Sequence, residues 1–104
     1  MASQIIRGTT PTIEFTFKDV TVANIVTAIL SIKQNGVILI EKELVDATVA
    51  QKSLSWTLTQ AECLTLAYGK STVMLNWLLV DGTRGASNEY IVEIVANHIN
   101  EVIT

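Results

Sequence analysis

The sequence is poor in the residues that chemistry usually needs. It has one cysteine, Cys63, one histidine, His98, and one proline, Pro11, in 104 residues. A single cysteine excludes an intrachain disulfide, so the fold does not depend on an oxidising compartment. One Cys and one His cannot build a structural zinc site, which takes about four ligands. As a nucleophile and base they are the only such pair in the chain. Nothing in their spacing brings them together, and Cys63 lies in an apolar segment, where cysteine ordinarily serves as a small hydrophobe. Charge is scarce as well: 16% of residues are charged, against about 25% in typical soluble proteins. The five basic residues before Ser53 balance five acids there, and the later half carries the whole net charge of −3. No Lys/Arg cluster exists, which argues against phosphate-mediated nucleic-acid binding and against docking on an anionic membrane. The first ten residues hold no apolar core of a secretory signal, so folding in a reducing cytoplasm is expected. The longest apolar stretch, around Met74–Val80, is broken by Asn76 and is far too short to span a bilayer.

What the chain does have is alternation. Thr12–Lys18 places Ile13, Phe15 and Phe17 on one side, and Leu54–Leu58 does the same with Leu54, Trp56 and Leu58. Successive strand side chains point to opposite faces, so these segments read as half-buried strands. Val26–Gln34 and Val37–Glu43 flank Asn35-Gly36, a strong hairpin signal because both turn residues tolerate positive φ. Val45–Lys52 reads as a turn with a short strand. Thr59-Gln60-Ala61-Glu62 fits a capping box and predicts a short helix over Gln60–Ala67, with Gly69 at its C-terminal end. Thr72–Val80 and Glu89–Ala96 complete six or seven strands, joined by a polar turn from Asp81 to Gly85. The pattern predicts a single all-β domain over residues 1–104, an antiparallel β-sandwich with one short helix and with residues 1–8 and 98–104 as tails. The expected core is Ile13, Phe15, Phe17, Leu30, Ile32, Leu54, Trp56, Leu58, Leu75 and Trp77.

Candidate chemistry is thin. Glu41 and Glu43 share a strand face but flank Lys42 in a solvated pattern. Asp19, Asp46 and Asp81 fall at turns, where Asp bonds the backbone. Gly82-Thr83-Arg84-Gly85 is too short for a phosphate loop and reads as a hairpin turn. Trp56 and Trp77 lie on the inward pattern of their strands. The opposite face of the Thr72–Val80 strand carries Met74, Asn76, Leu78 and Val80. Apolar residues on both faces of one strand mean burial on both sides or an interaction surface, and these four are the candidate interface. No residue set for catalysis, cofactor binding or metal ligation emerges.

Several segments, taken in order, resemble a family: Arg7-Gly8-Thr9-Thr10-Pro11-Thr12-Ile13, Ser31-Ile32-Lys33-Gln34-Asn35-Gly36, Leu58-Thr59-Gln60-Ala61-Glu62, Trp77, and the Gly85-Ala86-Ser87 turn. They are similar to small proteins of phages and prophages of Gram-positive hosts and to the N-terminal immunoglobulin-like domain of the phage baseplate upper protein. The resemblance runs from Arg7 to about Ile103. It implies that the sandwich is immunoglobulin-like and that the chain is a non-enzymatic virion structural or adaptor module, associated with a baseplate or tail and assembled in the host cytoplasm. Its implied partners are copies of itself or other tail and baseplate proteins, with neither nucleic acid nor membrane insertion involved. The sequence lacks the coiled-coil or fibre extension of a full baseplate upper protein, which leaves an isolated adaptor or a small free-standing structural protein. The rival reading is a carbohydrate- or peptide-binding sandwich that uses the Asp81–Ser87 loop around an exposed aromatic. A hydrolytic enzyme is disfavoured by the want of an acid, base and nucleophile set.

Overall fold

The computed structural model describes residues 3–104 and arranges the alternating segments into two sheets. The larger contains β1 (Ser3–Ile6), β3 (Ile25–Gln34), β4 (Val37–Glu43), β7 (Gly69–Leu79), β8 (Arg84–Ala86) and β9 (Tyr90–Val95). Its order is β1-β9-β7-β3-β4, with β8 also paired to β7. The smaller consists of β2 (Thr12–Thr16), β5 (Thr48–Val49) and β6 (Ser53–Thr57), in the order β2-β6-β5. A short helix, α1 (Gln60–Leu64), carries the chain from the small sheet back to the large one. This is the expected immunoglobulin-like β-sandwich.

The core lies between the sheets and follows the period-two pattern. Leu30, Ile32, Val73, Leu75 and Ile94 from the large sheet meet Leu54 and Trp56 from the small one, and Leu58, Cys63 and Leu66 close one end. The Trp56 ring is 1% exposed, and its Nε1–H donates to the Glu43 carbonyl at 3.0 Å, so burial leaves no polar atom unpaired. Three residues of the expected core, Ile13, Phe15 and Trp77, are only half-buried and pack against it. Ile13 and Phe15 sit on β2, the last strand of the small sheet, where one layer of the sandwich stops.

The Asn35-Gly36 turn has φ of 51° and 79°, the left-handed pair that matches the twist of a hairpin. Beside it, Gln34 is buried and acts as a substitute strand neighbour. Its Nε2 donates to the Ala67 carbonyl at 2.7 Å, and its Oε1 accepts from the Ala67 N–H at 2.8 Å. The capping box of α1 is complete: Thr59 Oγ1 accepts from Glu62 N–H at 3.1 Å, and Glu62 Oε1 accepts from Thr59 N–H at 2.9 Å.

Three expectations need correction. Residues 3–8 do not form a tail, because Ser3–Ile6 pairs in parallel with β9 and buries Ile5, while residues 1 and 2 of that expected tail lie outside the described residues. The sheet is therefore antiparallel everywhere except at this edge. The helix ends at Leu64 rather than Ala67. Arg7 captures the carbonyls there, with Nη2 donating to Leu64 at 2.6 Å and Nε to Leu66 at 2.7 Å, and the chain turns so that Leu66 enters the core. Gly69, with φ of 109°, opens β7 instead of capping the helix. Residues 98–104 stay outside the sheets, as expected of a tail, yet the Gln60 side chain grips the Ile103 backbone: its Nε2 donates to the carbonyl at 3.0 Å and its Oε1 accepts from the N–H at 2.8 Å.

Candidate interaction surfaces

Strand β7 is the centre of the large sheet. One of its edges pairs with β3 along most of its length, and the other is shared end to end by β9 and β8. Ser87 bridges the gap between those two: its N–H donates to the Leu75 carbonyl at 2.8 Å, and its Oγ accepts from Leu75 N–H at 2.9 Å. Inward residues Val73 and Leu75 are buried, so register puts Thr72, Met74, Asn76 and Leu78 on the outer face. Their outer-face neighbours are Lys33, Ser31, Ile29 and Thr27 on β3, Ile91 on β9, and Ala86 and Arg84 on β8.

The four candidate interface residues are thus only partly brought together. Met74 and Asn76 are half-buried between the neighbouring strands, and Leu78 is 38% exposed. Asn76 Oδ1 accepts from Arg84 Nη2 at 3.2 Å, which fastens the β7–β8 hairpin. Val80 is 70% exposed but lies in the turn after β7. The apolar strip continues through Ile29, a residue the sequence pattern did not single out.

The Asp81–Ser87 loop is held internally. Asp81 Oδ1 accepts from Thr83 N–H at 2.9 Å, and that bond is the first of the causes holding its carboxyl below the ordinary range. Trp77 lies against Gly85: a β-carbon on Gly85 would come within 2.5 Å of the indole ring. The ring's other neighbour is Phe17, edge-on at 5.2 Å between centroids. Trp77 is therefore a wall of the core rather than a projecting platform.

Cys63 is buried at the helix, where Sγ accepts from Gly8 N–H at 3.2 Å and donates to the Ile6 carbonyl at 3.7 Å. His98 is exposed in the C-terminal segment. Glu41 and Glu43 are exposed on β4, opposite Ser31 and Ile29. Among the described residues, no three His, Cys, Asp or Glu side chains come together as a metal-holding group.

A second surface escaped the sequence pattern. The large sheet is five strands wide and the small one three, so the inner face of β9 and β1 extends beyond β2. A groove of about 500 Å³ opens there, with Ile13 and Phe15 on one side and Ile5, Val73, Tyr90 and Val92 on the other. The signal that could have revealed it was Tyr90, an aromatic at the start of the last strand. Phe15 lies 6.0 Å from it between ring centroids.

No family model matches the chain, and no curated protein matches it. Among solved structures, the crystal structure of CopC from Methylosinus trichosporium OB3b matches with a TM-score of 0.60 and 16% identity, over 94% of this chain and 87% of that one. The resemblance to phage and prophage proteins and to the baseplate upper protein is thereby overturned: the chain matches the solved structure of CopC, which is not a baseplate protein, and no family model or curated sequence ties it to a phage. What the likeness to CopC shows is the fold, an immunoglobulin-like β-sandwich.

Proposed function

We propose that the chain is a non-enzymatic docking module that works by burying apolar sheet surface against another protein, including a second copy of itself. The observation that carries this reading is the outer side of β7, where Leu78 stands exposed beside half-buried Met74 and Ile29, with Val80 exposed in the turn that follows. Glu41 and Glu43 on β4 and Arg84 on β8 border the strip on the same face, so a partner that covers the apolar residues must also match those charges. Three or four side chains do not make a stable interface, which buries about 1,200–2,000 Å² in total. The contact therefore extends across the sheet.

Sedimentation velocity over a wide concentration range tests this reading. The wild-type protein is expected to associate at high concentration. Leu78→Glu is expected to weaken association while remaining folded, because a carboxylate in the contact must be desolvated. A wild-type protein that stays monomeric throughout removes the self-docking form of the proposal. Unfolding of Leu78→Glu would assign this face to the fold instead.

A further inference from the structure

We propose that the groove beside β2 accepts an extended segment of a partner protein as an added strand, one that places a Lys or Arg against Glu14 between inward-facing apolar residues. This site is separate from the outer face of β7.

The backbone of β2 supplies the first argument. At the two ends of the β2–β6 pair, Leu58 N–H donates to the Pro11 carbonyl at 2.9 Å and Phe17 N–H to the Lys52 carbonyl at 2.7 Å. Hydrogen-bonded pairs in an antiparallel ladder recur at every second residue. Register then assigns Ile13 and Phe15 to bonds with β6. Thr12, Glu14 and Thr16 consequently direct their N–H and C=O groups to the free edge. Among the described residues β2 ends its sheet, so three residues present a ladder that no described strand uses, the template that strand addition employs.

The floor supplies the second. A strand added here would lie over the inner face of β9 and β1, where Val92 and Ile5 are nearly buried and Tyr90 is 51% exposed. Side chains of the incoming strand that alternate inward would meet Phe15, Tyr90 and Val92. The groove, at about 500 Å³, lies within the ~300–1,000 Å³ of ordinary ligand clefts.

Charge decides the occupant. Among the described residues, Glu14 is the one charged side chain lining the groove. It points outward, on the face that a directly opposed residue of the added strand would share. Opposite charges across such a pair are favourable and like charges unfavourable. A second copy docking by its own β2, centred on Glu14, would set two Glu14 carboxylates against each other, and each copy carries a net charge of −3. A basic residue flanked by apolar ones, in a different protein, meets neither objection.

The test uses two blocked peptides, Thr-Val-Lys-Val-Thr-Val and Thr-Val-Glu-Val-Thr-Val, titrated into the whole protein and followed by amide chemical shifts. The Lys peptide is expected to perturb Thr12, Glu14, Thr16 and Val92, and to bind about 2–5-fold more tightly than the Glu peptide, the effect of one cross-strand charge pair. Glu14→Lys, a change at an exposed position, is expected to reverse the preference. Glu14→Pro, which removes one free-edge donor and no β6 bond, is expected to weaken both peptides. Binding of neither peptide, shifts confined to Met74 and Leu78, or an unchanged preference in Glu14→Lys would overturn the proposal. So would concentration-dependent shifts at Thr12–Thr16 without peptide, which would make a second copy the occupant.

Discussion

At the scale of single residues, two kinds of position behave differently. Trp56 declares itself through alternation with Leu54 and Leu58, and the structure buries it. Gln34 gives no such notice. A polar residue at the end of a strand reads as solvated, and its two bonds to Ala67 exist only because the chain after α1 passes beside β3. Gly85 is similar: as a turn residue it was legible, but its need to be glycine comes from the indole of Trp77 on the neighbouring strand. Gly85→Ala is expected to destabilise the protein by about 1–3 kcal/mol, since the added methyl must displace a ring already fixed by Phe17. Chemical denaturation measures the loss. A change in near-ultraviolet circular dichroism would locate it at Trp77, and an unaltered spectrum with unaltered stability would show that the ring moves freely.

At the scale of elements, local signals carried furthest. The Asn-Gly hairpin and the capping box depend on residues within a few positions of each other, and both stand where the sequence put them. The strand β1 depends on pairing with residues close to the other end of the chain. Only Ile5 among its four residues is buried, so no alternation marked it. The capping box also has an electrostatic side. Burial raises the Glu62 pKa, but the hydrogen bond from Lys42, the Thr59 N–H and the Lys42 charge together outweigh it and leave the carboxyl below its ordinary value of 4.5. A carboxyl lowered in the folded state adds stability above its unfolded pKa and loses it as pH falls through the folded one. Thr59→Ala is expected to cost about 1 kcal/mol at neutral pH. The stability difference between wild type and Glu62→Gln is expected to shrink as pH drops below 4.5. Denaturant midpoints across the acid range check both, and a difference that grows on acidification would contradict the assigned role of Lys42.

At the scale of the whole molecule, the fold class was readable and the unequal widths of the two layers were not. Counting strands cannot reveal which sheet each one joins, so the groove at β2 and the half-burial of Ile13 and Phe15 had no local sign. The same reasoning covers the candidate interface: alternation put Met74, Asn76 and Leu78 on one face, but not the Arg84 bond that occupies Asn76. Joining β1 to β9 ties the beginning of the sheet to its end. Ile5→Ala is expected to cost about 2 kcal/mol in a single cooperative unfolding transition, whereas a loose tail would lose nothing.

That parallel pair also sets an order of events on the ribosome. Ser3 aligns with Val92, and at about 5–20 residues per second the nascent chain needs roughly 4–18 s to make the stretch between them. The β3–β4 hairpin can close within about 1–10 μs of emerging. For seconds thereafter, Ile5 and the inner side of the early strands have no completed sheet to join. The newborn chain is then the species with the most to gain from a chaperone, and substitutions that leave the finished protein stable can still lower its yield if they make that interval stickier.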